Sequence, residues 1–139
     1  MTLLHSQVIN ELNNIPVTRE KVQCLHKREW LNDEVINFFI ELIKRHNRSH
    51  AGLPRVFCFN TFFYAALTNE GGTGLYTYAK VKRWTRRVDL FKYDYLLVPC
   101  HVHGNHWTLA VVDFQRKRRE YIDSLVSMTA ARILSQRHH

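Results

Sequence analysis

The side chains most able to do chemistry in this sequence are crowded into Cys100-His101-Val102-His103-Gly104-Asn105-His106, with Trp107 directly after. Three histidines and a cysteine in so short a run allow three chemistries. Zinc takes Cys and His ligands, but the spacing matches no usual zinc pattern and no second compact ligand pair occurs elsewhere in the chain. A polar connection between two strands needs only that the side chains tolerate water, and His101 and His103 fit that description. A histidine at the start of a strand, oriented by a carboxylate, is a general base. His106 is the candidate.

Asp123, 17 residues on, is the carboxylate that could orient it. It ends a short extended run, and in an antiparallel hairpin the start of one strand and the end of the next share an edge of the sheet. A two-residue turn at Arg116-Lys117 sets Asp123 opposite Ala110, on the face of His106 but four residues along. At about 3.4 Å per residue that leaves a gap of ~13 Å. A bulge, a wider turn or a strongly coiled pair has to close it.

The elements that must position this pair are legible in outline. Thr18 is placed to cap a helix start after Pro16. Trp30-Leu31-Asn32-Asp33 leads into a strong helix: Asn32 or Asp33 is a good N-cap, Glu34 suits the positive helix start, and Val35, Ile36, Phe39, Ile40, Leu42 and Ile43 follow. Its apolar residues cover most of its circumference, which predicts a buried central helix. Gly52 and Pro54 mark the exit. A second helix opens at Asn60, and Glu70-Gly71-Gly72-Thr73-Gly74 reads as a loop. Val81, Trp84 and Val88 stand at helical spacing in a short amphipathic segment over 78–87.

From Tyr95 the pattern becomes extended. Tyr95-Leu96-Leu97-Val98 predicts a buried strand ended by Pro99, His106 to Phe114 a longer one, and Glu120 to Asp123 a third. A helical pattern returns over 128–134. Helices first and sheet afterwards predict an α+β fold, with a helical part over about 17–87 and a sheet part over about 95–123.

The chain has 139 residues, 45% hydrophobic and 23% charged, the balance of one globular domain. No apolar run is long enough to span a bilayer, and the N-terminus lacks a secretory pattern. Three widely spaced cysteines, Cys24, Cys58 and Cys100, do not form a disulfide framework and point to a reducing compartment. The net charge of +8 gathers at Lys80, Lys82, Arg83, Arg86 and Arg87 and again over Arg116 to Arg119. The second group is that of a charged turn. The first, around Trp84, leaves a basic nucleic-acid-binding surface as the least favoured of the functional readings.

The string Trp30-Leu31-Asn32-Asp33-Glu34-Val35-Ile36-Asn37-Phe38 resembles the opening signature of the SUMO/sentrin-specific, ubiquitin-like cysteine protease family. Phe59-Asn60-Thr61-Phe62-Phe63 resembles its second block, and Val81-Lys82-Arg83-Trp84-Thr85 with Val88-Asp89-Leu90-Phe91 its third. Leu97-Val98-Pro99 with His106-Trp107 and Leu109-Ala110-Val111-Val112-Asp113-Phe114 is similar to the catalytic-His strand, and Tyr121-Ile122-Asp123-Ser124 to the catalytic-Asp strand. The blocks run in order from about Val17 to Leu134.

The resemblance implies a papain-like fold and hydrolysis of amide or isopeptide bonds after the Gly-Gly end of SUMO, without metal or cofactor. Its partners would be SUMO and SUMO-conjugated proteins, with no membrane, no nucleic acid and a monomeric state. A nuclear or nucleocytoplasmic location is implied with them. Carried over by position, His106 is the general base, Asp123 its orienting carboxylate, and Trp30 and Trp107 the flat walls that admit a glycine tail and exclude side chains.

The sequence departs from the family in one respect. The family's nucleophilic Cys, in a Gly-Ser-Asp-Cys-Gly-like segment, and its oxyanion-hole Gln follow the Asp strand, and neither is found before His139. Cys100 stands where the family has an apolar strand residue, and Cys24 and Cys58 have apolar surroundings. The resemblance therefore implies a partial catalytic domain that is inactive alone. A non-catalytic SUMO-binding module is the alternative.

Overall fold

The computed structural model describes residues 6–69 and 72–125. The helical pattern over 128–134 and residues Glu70 and Gly71 of the glycine loop lie outside that range. The chain divides into two compact units, Met1–Ala51 and Gly52–His139, with the division at the Gly52-Pro54 exit.

The first unit opens with a hairpin absent from the sequence expectation, β1 (Val8–Leu12) and β2 (Ile15–Thr18). Asn13 and Asn14 connect them with φ of 50° and 61°. Asparagine tolerates this left-handed region, and two such residues give the turn whose twist matches a hairpin. Thr18 then caps the single-turn helix α1 (Arg19–Val22), its hydroxyl accepting the Lys21 N–H at 3.3 Å.

Helix α2 (Asp33–Ser49) starts as expected, with Asn32 as the N-cap accepting the Val35 N–H at 2.9 Å. The Asn32 amide also donates to the Lys21 carbonyl, tying α2 to α1. The expectation of a buried central helix is corrected. Only Asn37 and Ile40 are buried, and Phe39 is 61% exposed. Within this unit α2 packs against the β1–β2 hairpin and α1, and so short a hairpin covers one stripe of a 17-residue helix, not its circumference.

Among the described residues the second unit is a four-stranded mixed sheet with helices in its first part. Strand β3 (Val56–Cys58) runs parallel to β4 (Tyr95–Val102), and β5 (His106–Asp113) and β6 (Arg118–Ile122) follow antiparallel, in the order β3-β4-β5-β6. Helix α3 (Thr61–Leu67) is capped by Asn60, as the sequence indicates, and packs on β4. Phe59 stacks on Phe63 at 3.8 Å, and Phe63 meets Trp84 edge-on at 5.6 Å. Trp84 stands among lysines and arginines because it packs on this aromatic cluster. The amphipathic segment around it is helical only over α4 (Tyr78–Val81), with Val81 buried.

Two strand expectations change. Pro99 does not end β4, which runs on to Val102. The pairing of β3 ends at Cys58 opposite Leu97, so Pro99 lies where that side of β4 has no described partner strand and a missing N–H breaks no ladder. The β5–β6 connection is four residues, Phe114 to Lys117, since Asp113 pairs with Arg118. The architecture is α+β, as expected.

Candidate active site

The four-residue connection decides the geometry at His106. With Leu109 opposite Ile122, the register extends to place Asp123 beside Thr108, two residues from His106 and on the same face. Two residues along a strand is about 7 Å, within reach of diagonal side-chain contact across a pair of strands. Of the three ways to close the gap left by a two-residue turn, the wider turn is the one found, and no bulge interrupts the β5–β6 pairing.

Asp113 sets that turn. Its carboxylate, 2% exposed, accepts the Arg116 N–H at 2.9 Å, with the Arg116 and Arg118 guanidinium groups at 3.6 and 3.7 Å. An aspartate bonding to the N–H three residues on is a turn-starting arrangement. Sequence reasoning missed its role, and the Asp113-Phe114-Gln115-Arg116 spacing was the signal available.

His106 Nε2 lies 2.7 Å from Asp123 Oδ1, with side chains 11% and 15% exposed. The Leu125 N–H bonds the same carboxylate oxygen at 2.9 Å. That bond, and then the His106 ring, hold the Asp123 carboxyl below its ordinary value of 3.8. Asp123 is therefore ionised at neutral pH and acts only as an acceptor. The Nε2–H donates to it, and the neutral ring keeps its lone pair on Nδ1, the nitrogen able to take a proton.

The neighbouring histidines differ. His103 is exposed in the turn before β5, at φ 53° beside Gly104 at 83°, in keeping with a polar connection. The sequence suggested a connection for His101 too, and the structure corrects this. It lies within β4 opposite Trp107, and the two rings stack at 4.4 Å and 29°. Because side chains alternate along β5, Trp107 points to the face opposite His106. Trp30 belongs to the other unit, just before α2, and is 55% exposed.

The cysteines are placed differently again. Cys100 shares the face of His106, paired with Thr108, but is 2% exposed and donates its thiol hydrogen to the Val98 carbonyl at 3.3 Å. Burial pushes its thiol pKa up, the wrong direction for a nucleophile. Cys58 is buried in β3, and Cys24 lies in the other unit. Among the described residues no three His, Cys, Asp or Glu side chains come together as a metal site.

Residues 29–139 match the Ulp1 protease family, C-terminal catalytic domain. The chain belongs to the Ulp1 protease family. It is 42% identical over 112 residues to a sentrin-specific protease of Caenorhabditis elegans, covering 81% of this chain and 15% of that protein. It is 39% identical over 119 residues to human sentrin-specific protease 2, covering 86% and 19%. Its fold is similar to that of the Ulp1 protease domain solved in complex with SMT3, the yeast orthologue of SUMO, with a TM-score of 0.70 and 31% identity over 87% of this chain and 50% of that one. A SUMO protease Ulp1 with its catalytic cysteine oxidised to a sulfenic acid gives 0.71 and 32%, over 89% and 52%. The chain thus spans under a fifth of these curated relatives and about half of the solved Ulp1 chains.

Proposed function

We propose that the chain carries the base side of a SUMO-directed cysteine protease site. The observation that carries this reading is the 2.7 Å pair of His106 Nε2 and Asp123 Oδ1 where β5 begins and β6 ends. Nδ1 of His106 takes the proton of a cysteine thiol, and Asp123 keeps the ring in the tautomer that makes this possible and steadies the imidazolium formed. The thiolate attacks the carbonyl carbon of the terminal glycine and the C–N bond breaks. The amine, a peptide amine in a precursor or a lysine side chain in a conjugate, leaves with the proton from His106. Water, deprotonated by the same ring, then releases the thioester. Trp107 and Trp30 each offer an indole to the glycine tail. The substrates are SUMO precursors and SUMO-conjugated proteins, and a monomer in the nucleus or nucleocytoplasm is proposed with them on the resemblance alone.

The cysteines favour a second reading for these 139 residues taken alone, a SUMO-binding module without turnover. Cys100 and Cys58 are buried, and Cys100 is committed to a backbone carbonyl. SUMO bearing a thiol-trapping electrophile at its C-terminus separates the two readings. With the purified chain we expect SUMO binding but no covalent adduct, read by mass spectrometry. An adduct on Cys100 that disappears in Cys100→Ser would show that this thiol is the nucleophile.

A further inference from the structure

Of the three histidines around the turn, His101 is the one that neither the base role nor the turn explains. It sits in β4 directly across from Trp107, with the ring centroids 4.4 Å apart and the planes 29° from parallel. The same register puts Val102 opposite His106, so the stacked pair is the next rung of the ladder after the base. A tryptophan on a strand has broad freedom about its outer side-chain torsion, and a sheet face alone does not choose the tilt of the indole. A flat ring held against it across the ladder does, since aromatic pairs have preferred offsets and separations.

We propose that His101 is a positioning residue for Trp107: its stacked imidazole fixes the plane that the indole presents to a Gly-Gly tail. The inference rests on the reading of Trp107 as a tail contact and adds what sets its geometry. A tail of two glycines is distinguished from one with side chains by clearance alone. A methyl group is refused only if the wall does not yield, and a freely tilting indole would yield. His101 thus acts on selectivity for the tail, through Trp107, without touching the reacting atoms.

The test uses the 139-residue chain with two probes, SUMO ending in Gly-Gly and the same protein ending in Ala-Ala. The chain is prepared as wild type, His101→Ala and His101→Phe. We expect His101→Ala to reduce the preference for Gly-Gly by roughly three- to tenfold, the range that loss of one aromatic pair gives. His101→Phe, which stacks without the polar nitrogens, restores most of it. Nuclear Overhauser contacts from the Trp107 indole to its strand neighbours, which report the tilt of the ring, change in His101→Ala and change less in His101→Phe. A general structural role would instead weaken binding of both tails equally. If His101→Ala does not fold, by far-ultraviolet circular dichroism, His101→Gln takes its place as the variant without a ring. Unchanged preference in a folded ring-less variant, or no restoration in folded His101→Phe, overturns the proposal. A wild-type chain that binds both tails equally overturns the reading of Trp107 as a tail contact. The Overhauser contacts of the indole then judge the positioning of Trp107 by His101 apart from any tail: changed contacts in His101→Ala support it, and unchanged contacts overturn it.

Discussion

On the proposed reading, replacing His106 by alanine is expected to abolish SUMO cleavage while leaving SUMO binding close to wild type, in a version of the chain extended to supply a nucleophilic cysteine. In the proposed role the imidazole acts on a thiol proton and not on the surface of the modifier, so kcat is expected to fall and affinity is not. The loss is on the order of 10⁴-fold or more, because the base and the nucleophile work as one unit. Asp123→Asn is about 10²-fold milder, since the side chain keeps its shape and loses the charge that fixes the tautomer. His103→Ala changes the rate little, because that side chain is exposed in the turn. Single-turnover cleavage of a SUMO fusion, with binding measured in parallel, checks all three. Equal damage from His103→Ala and His106→Ala in folded protein would show that the base has been placed on the wrong histidine.

The second large effect is on stability and is expected at Asp113, remote from the chemistry. Its carboxylate is buried and bonded to the Arg116 N–H, and its guanidinium neighbours are long and largely exposed. The backbone bond therefore carries most of its value, because exposed ion pairs contribute little. Asp113→Ala removes a charge-assisted bond and should cost about 2–3 kcal/mol. Asp113→Asn keeps an acceptor oxygen for the same N–H and costs less. Denaturant titration of the chain reads both. The same turn sets the β5–β6 register, so loosening it also lets Asp123 drift from His106. A chain unaffected by Asp113→Ala would mean that strand pairing alone holds the register.

This connection is where the sequence was least informative about the site. Alternation along His106–Asp113 put His106 and Asp123 on one face whatever even number of residues the turn held, so the pairing was foreseeable but the distance was not. A two-residue turn leaves four residues between them and a four-residue turn leaves two. The arrangement of Asp113 with Arg116 chooses between these, and it can be read from the spacing of an aspartate at the end of an apolar strand. The place of His101 was hidden for a related reason. A proline after an apolar run reads as a terminator, whereas on a stretch of strand with no described neighbour on one side it is compatible with continued pairing on the other. Helix starts were legible because Thr18, Asn32 and Asn60 each bond a backbone N–H within their own first turn, a local event. The exposure of α2 was not, because its apolar pattern does not state how much surface a neighbour will cover. The β1–β2 hairpin went unseen although Asn13-Asn14 between Leu12 and Ile15 is a two-residue turn of the favoured kind.

The reading of His106 as a base depends on which ring nitrogen holds the proton. Long-range proton–nitrogen correlation spectra of the 139-residue chain, recorded at a pH where the His106 ring is neutral, report this directly. The expected result is a protonated Nε2 and a bare, pyridine-like Nδ1 on His106, shifting toward a mixture of tautomers in Asp123→Asn as the orienting charge is lost. A proton resident on Nδ1, or a tautomer that ignores the loss of Asp123, would contradict the claim that this pair is built to draw a proton from a thiol.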